Sequence, residues 1–167
     1  MYHTINLNYN SFFNYLQDIF PMNAIEYLRL LRLTKDLYQF RKIGSTRKSE
    51  ISEMISNDLL ICFLRHDIDF SPKSAFDMAQ MEEENGIYSS FTVLLGGEFY
   101  NPFEKKNRIY LKKILSLGHE IGLHFDPTLH NITNEADLDA SIEKERKALE
   151  DIIENKIKMF SFHNTTP

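Results

Sequence analysis

From Leu59 to the end of the chain, short apolar runs alternate with longer amphipathic segments. Apolar runs of about four to eight residues are typical of buried strands, whereas apolar residues spaced three and four positions apart are typical of helices. The predicted strands span residues 59–65, 88–95, 119–124 and 157–163. Strands that alternate with helices in this way predict an α/β fold with a parallel sheet and crossover helices.

Three amphipathic segments between these strands predict the crossover helices. The first begins at Ser71-Pro72, where proline suits the first helical turn, and ends before Gly86. The other two span residues 107–117 and 134–154. The pattern therefore predicts a repeated strand–helix architecture with about four strands.

Residues 1–58 differ from the rest of the chain in composition and pattern, with many aromatic residues and apolar positions at helical spacing. Acidic residues and histidines are sparse there and form no cluster. We predict a helical N-terminal extension over residues 1–58 that serves packing, followed by the strand–helix domain over residues 59–167. Its two helices are marked by one apolar set of Phe12, Phe13, Leu16 and Phe20 and a second set of Ile25, Leu28, Leu31 and Leu33.

The composition allows a folded core and argues against several classes of function. Of the 167 residues, 43% are hydrophobic, which is enough for one globular domain. The formal net charge of −5 lacks the basic excess of a nucleic-acid binder. No apolar run is long enough to span a membrane, and residues 1–6 lack the order of a signal peptide, so the expected location is the cytoplasm. Cys62, the single cysteine, is expected to be a small core residue.

Two carboxylates follow the first predicted strand. Asp67 and Asp69 are separated by one residue, so in an extended segment both side chains project to the same side. Crowded carboxylates repel each other, and a bound cation relieves the repulsion while one carboxylate stays free as a base. The alternative is that they only cap the helix that begins near Pro72.

Histidines end the third and fourth predicted strands. Because the carboxyl ends of parallel strands converge, we expect His124 and His163 to lie near the two aspartates. His124 is a candidate metal ligand, with a buried histidine bonded to a loop as the alternative, and His163 is either a third ligand or a polar partner of a carboxylate. His119 and Glu120 begin the third strand, so they are predicted to be structural residues at its opposite end.

Together these segments resemble a known family. The string Arg65-His66-Asp67-Ile68-Asp69-Phe70, followed by Gly118-His119-Glu120-Ile121-Gly122-Leu123-His124 and then by Ser161-Phe162-His163, is similar to the polysaccharide deacetylase family, also called the NodB-homology or carbohydrate esterase 4-like family. The resemblance covers about residues 59–167. It implies a distorted (β/α) barrel in which a divalent metal, usually zinc, helps to hydrolyse an N-acetyl or related group from a sugar.

The resemblance also implies roles for individual residues. Asp67 corresponds to the general base, and Asp69 and His124 correspond to metal ligands. For the third ligand we predict His163, with His130 and Asp126 as alternatives. The expected partner is a carbohydrate, and the alternative function is a catalytically degenerate domain that binds a carbohydrate or a metal.

The chain departs from the family pattern in three places. Thr128 stands where the family usually places a second metal histidine, and Ser161-Phe162-His163 stands where an arginine and prolines usually orient the base. The chain also stops after about four strands, whereas the family barrel has roughly seven or eight. We therefore expect a C-terminally truncated member whose open sheet edge is covered by a missing segment or by another copy of the chain.

Overall fold

The computed structural model describes residues 23–163, which fall into two compact units, residues 23–36 and residues 37–163. The first unit contains helix α1 (Ala24–Lys35). Asn23 caps this helix, because its side chain accepts hydrogen bonds from the backbone N–H groups of Ile25 and Glu26. The second predicted N-terminal helix is therefore confirmed, while the first, around Phe12 to Phe20, lies outside the described residues.

The second unit alternates short strands with helices. In chain order its elements are β1 (Gln39–Arg41), α2 (Lys48–Ser56), β2 (Ile61–Phe63), β3 (Arg65–Ile68), α3 (Pro72–Glu84), β4 (Ser90–Leu94), α4 (Lys105–Ser116), β5 (Glu120–Phe125), a 3₁₀ turn (Pro127–Leu129), α5 (Glu135–Ile153) and β6 (Phe160–Phe162). No helix among residues 23–163 is both long and apolar enough to cross a membrane.

Four of the strands form one parallel sheet in the order β3-β4-β5-β6, which is also their order along the chain. Helices α3, α4 and α5 connect successive strands, so the predicted α/β class with parallel strands and crossover helices is confirmed. A barrel closed on itself is not formed by the described part of the chain. Strands β1 and β2 form a separate parallel pair.

The first predicted strand needs a correction. Residues 59–65 were predicted as one strand, but the structure has β2 and then β3, and β3 continues to Ile68. Asp67 therefore lies inside the sheet, where it is paired in register with Thr92. The Asp67 carboxylate is tolerated within the sheet because the Thr92 hydroxyl donates a 2.6 Å hydrogen bond to it.

The predicted crossover helices are confirmed, and their ends follow local chemistry. Ser71 caps α3 by accepting from the N–H of Ser74, and Pro72 occupies the first turn. After α3, Gly86 adopts a φ of 69°, a left-handed conformation that glycine tolerates best. The turn at Gly86 directs the chain into β4.

The core lies between β4–β5 and the helices packed on them. Every residue of β4 and β5 is buried, as expected for the two central strands of a parallel sheet. Each fully buried large apolar side chain contributes roughly 1.5–3 kcal/mol. The most completely buried of them are Ile87, Phe91, Val93, Leu111, Ile114, Ile121, Leu123, Phe125, Leu149 and Ile152.

Residues 37–58 were assigned by sequence to a helical extension, but they contain β1 and α2 and lie in the same compact unit as the sheet. The loop between β1 and α2 binds the amino end of β5. Glu120 accepts hydrogen bonds from the Gly44 N–H (2.8 Å) and the Ser45 hydroxyl (2.6 Å), and Lys42 Nζ donates to the Gly118 carbonyl (2.9 Å). Glu120 thus holds a loop against the sheet.

Candidate metal centre

Three candidate ligands converge at the carboxyl edge of the sheet. Asp69 follows β3 directly, His124 is the fifth residue of the six-residue strand β5, and His163 follows β6 directly. The N–H of His163 donates a 2.7 Å hydrogen bond to the Phe125 carbonyl, which fixes the end of β6 beside β5. Parallel pairing in chain order therefore places the three side chains together.

The three ligand atoms form a compact triangle. The Nδ1 atom of His163 lies 3.1 Å from the Nε2 atom of His124, and the Oδ1 atom of Asp69 lies 3.7 Å from that Nε2 and 3.9 Å from that Nδ1. A point equidistant from the corners of such a triangle is about 2.1 Å from each, which matches zinc–nitrogen and zinc–oxygen bond lengths. The donor set of two imidazoles and one carboxylate also suits zinc and leaves positions open for water or substrate.

Asp69 gives an independent sign of a cation. Its Oδ1 atom is buried and accepts no hydrogen bond from the described residues. A buried polar atom without a partner is costly, and buried carboxylate oxygens are normally hydrogen-bonded or bound to a metal. This oxygen points at the two imidazoles, so a cation between them would satisfy it.

Ser161 orients the His124 ring. The Nδ1 atom of His124 lies 3.0 Å from the Ser161 hydroxyl, and the two residues are paired in register on β5 and β6. This contact directs Nε2 toward Asp69 and His163. Burial lowers the pKa of His124 below its usual value, against the opposing effect of Asp67 and Asp69, and this favours the neutral imidazole that a metal requires.

Asp67 lies beside the triangle and is held at both oxygens. Its Oδ1 accepts the hydrogen bond from Thr92, and its Oδ2 accepts one from the Nη2 of Arg65 at 2.9 Å. The same Oδ2 is 3.9 Å from the Nε2 of His124. Asp67 therefore borders the centre without belonging to the triangle.

The alternatives for the third ligand are engaged elsewhere. His130 contacts Glu145 on α5, with 2.7 Å between Nε2 and Oε1, and its ring stacks on Phe125. The side chain of Asp126 accepts hydrogen bonds from the N–H and hydroxyl of Thr128, which caps the 3₁₀ turn. The group of potential metal ligands found among the described residues consists of Asp69, His124 and His163.

His119 lies at the opposite end of β5 from this centre. Its Nδ1 accepts from the Ser89 N–H at 3.1 Å, and its Nε2 lies 2.9 Å from the Ala79 carbonyl. A neutral imidazole with its proton on Nε2 satisfies both contacts. The predicted structural roles of His119 and Glu120 agree with these contacts.

Sequence reasoning missed the supporting residues Arg65 and Thr92. Thr92 is the one hydroxyl in the run Phe91-Thr92-Val93-Leu94, and a polar residue in a buried strand needs a partner. That signal was available in the sequence. The identity of the partner, Asp67, could not be predicted from the sequence, because it depends on the register of β3 against β4.

Comparisons with known proteins give the fold. No protein-family model and no curated protein sequence matches the chain. Among solved structures, the Streptococcus pyogenes deacetylase PplD in complex with acetate matches with a TM-score of 0.55 and 13% identity, over 87% of this chain and 72% of that one. The chitin deacetylase of the fungal pathogen Colletotrichum lindemuthianum matches with a TM-score of 0.43 and 20% identity, over 54% of this chain and only 39% of its own length. The likeness to the streptococcal protein shows that the chain has a deacetylase-like fold.

Proposed function

We propose that this chain is a metal-dependent hydrolase that removes an N-acetyl or similar acyl group from a sugar or a surface-polysaccharide precursor. The observation that carries the proposal is the triangle of Asp69, His124 and His163, with Asp67 held beside it. A fold shared with a deacetylase supports the same reaction class. The acetate named with the streptococcal enzyme is the product that such a reaction releases.

In this proposal Asp69 Oδ1, His124 Nε2 and His163 Nδ1 hold a divalent cation, and their donor set favours zinc. When bound, the cation supplies a Lewis acid for the acyl carbonyl and lowers the pKa of water. Asp67 accepts the proton of the attacking water. Arg65 and Thr92 fix its carboxylate in one orientation, so that a base is already in place when the substrate binds.

Acetate release from N-acetylglucosamine oligomers, measured together with metal content by mass spectrometry, tests the proposal. The zinc-loaded chain should release acetate, and Asp67→Asn should reduce the rate at least about 100-fold, since general bases contribute roughly 10²–10⁴-fold. The variant should keep zinc at wild-type stoichiometry. Asp77→Asn, which removes an exposed carboxylate bonded to Lys73 on α3, is the matched control and should keep full activity. Equal rates for Asp67→Asn and wild type would contradict the role of Asp67.

The second candidate is a non-catalytic relative that binds a carbohydrate or a metal. One observation favours it: His163 lies 3.1 Å from His124 as part of the triangle, so it is not separately available to protonate the leaving amine. Other histidines among residues 23–163, such as His130 and His119, are bonded away from the centre. Stoichiometric zinc and sugar binding without acetate release would support this candidate over the hydrolase.

A further inference from the structure

Two exposed phenylalanine rings lie in contact at the loops that surround the candidate metal centre. Phe70 directly follows Asp69, and Phe99 lies on the loop between β4 and α4. Their ring centroids are 4.5 Å apart, yet the residues are 65% and 66% exposed. Exposed large apolar groups that are grouped together mark binding surfaces more often than isolated ones do. We call Phe70 and Phe99 the aromatic pair.

The loop that carries Phe99 is fixed against the end of β3. The Tyr100 hydroxyl donates a 2.7 Å hydrogen bond to the Ile68 carbonyl, one residue before Asp69. A Cβ atom built on Gly97 would lie 3.9 Å from the Asp69 carbonyl oxygen, so the two backbones run side by side there. The position of the aromatic pair relative to Asp69 is therefore fixed in two ways. Phe70 is the next residue in the chain, and the loop of Phe99 is bonded to the end of β3.

A third loop extends the apolar surface. Leu129, in the 3₁₀ turn after β5, packs so closely on Gly96 that any side chain at Gly96 would collide with it. Leu129 is 51% exposed, and Phe103, further along the loop of Phe99, is 57% exposed. Apolar side chains are thus exposed on the loops after β3, β4 and β5, at the same carboxyl edge of the sheet as the candidate metal centre.

We infer that the aromatic pair is a sugar-binding subsite that packs against the apolar C–H face of a pyranose ring next to the acylated sugar. This inference rests on the proposed function, because it places the substrate of that reaction over the metal centre. Phenylalanine offers no hydrogen-bonding group, so its partner must present an apolar face, while the neighbouring centre must meet a polar group. A pyranose with an N-acetyl substituent has both.

The size of the aromatic pair and the charge around it favour this occupant over others. Two partly exposed rings present on the order of 300 Å², well below the roughly 800 Å² per partner of a stable protein interface. Glu98 is exposed next to Phe99 on the same loop, so an anionic ligand is disfavoured at the aromatic pair. A neutral N-acetylated sugar chain fits these conditions.

Calorimetric titration of the zinc-loaded Asp67→Asn protein with the tetramer of N-acetylglucosamine tests the inference, since the oligomer is not consumed in this background. Adding Phe70→Ala or Phe99→Ala should weaken binding about fivefold to tenfold each. The control is Phe160→Ala, which removes an exposed phenylalanine from the opposite face of β6 to Ser161. It should leave the affinity unchanged.

In the Asp67-containing chain, Phe70→Ala and Phe99→Ala should keep wild-type zinc content, which would show that the lost tetramer affinity does not come from damage to the metal centre. Tetramer affinity within twofold of the parent for both variants would overturn the inference, as would a parent protein that does not bind the tetramer. If the parent binds through Phe70 and Phe99 but no acetate is released by the unmutated chain, the proposed hydrolase fails and the subsite stands.

Discussion

At the scale of single residues, the buried Oδ1 atom of Asp69 is the clearest chemical signal among the described residues. Its neighbour Asp67 has partners for both oxygens, whereas Asp69 Oδ1 has none among the described residues. Buried carboxylate oxygens normally accept hydrogen bonds. An oxygen without a donor is expected where a bound cation supplies the missing interaction. This difference between the two aspartates supports the proposal that Asp69 is a ligand and Asp67 a base.

His119 shows the opposite situation, because both of its ring nitrogens have backbone partners and it lies away from the centre. Burial lowers its pKa below the usual 6.5. The unfolded chain takes up a proton near pH 6.5 that the folded chain does not, so this residue's contribution to stability is present above that pH and is lost as the pH falls below it.

We therefore predict that His119→Gln lowers the free energy of unfolding at pH 7.5 by about 1–3 kcal/mol, because a buried donor or acceptor loses its partner. The difference from wild type should narrow as the pH falls from 7 to 5. Denaturant unfolding across this range measures it, and zinc content should not change. If the difference in free energy of unfolding between His119→Gln and wild type is constant with pH, or if zinc is lost without a loss of stability, His119 has another role.

At the scale of strands and helices, β6 depends on a glycine in its neighbour β5. A Cβ atom at Gly122 would lie 2.6 Å from the side chain and 2.8 Å from the backbone oxygen of Met159, just before β6. Only glycine lets the two strands approach this closely. Since β6 carries Ser161 and leads into His163, the geometry of the candidate metal centre depends on this contact.

We predict that Gly122→Ala destabilises the protein by about 1–3 kcal/mol and also weakens zinc binding, because β6 must move outward. Gly118→Ala is the matched control. Gly118 has a φ of 92° in the turn before β5, so alanine is strained there, but the position is remote from β6. The control should lose stability and keep its zinc affinity. Competition with a chromogenic chelator measures both affinities, and equal affinity for Gly122→Ala and wild type would contradict the argument.

The sequence predicted those elements whose patterns are long and periodic. Helices α3, α4 and α5 and the buried strands β4 and β5 were identified within a few residues. The three-residue strand β1 was missed because so short a segment has no periodicity, and its partner β2 is also three residues long. The choice among His163, His130 and Asp126 stayed open because it depends on contacts such as that of His130 with Glu145, 15 residues away.

At the scale of the whole molecule, the candidate centre joins three strands of the sheet. Asp69, His124 and His163 follow or belong to β3, β5 and β6, so a shared cation would connect the first strand of this sheet to the last. A ligand that binds only the folded state stabilises it by an amount set by its concentration relative to its dissociation constant.

We predict that removing zinc with a chelator lowers the melting temperature by about 5–10 °C, corresponding to roughly 2.7 kcal/mol at a free zinc concentration about 100 times the dissociation constant. Asp69→Ala should fold, contain no stoichiometric zinc and melt at the same temperature with and without chelator. Asp126→Ala, which removes only the cap of the 3₁₀ turn, should respond as wild type does. A zinc-dependent shift retained by Asp69→Ala would exclude Asp69 as a ligand.

The order of the strands has a consequence for how the protein is made. Because each strand of the sheet pairs with the strand that precedes it in the chain, the sheet can grow in the direction of synthesis, one strand–helix unit at a time. Asp69 and His124 are then placed early, and His163 joins them only when β6 docks. With a cation bound as proposed, the nascent chain would pass through a stage with an ordered sheet and an incomplete cation site, and tight binding would arise only once β6 docks.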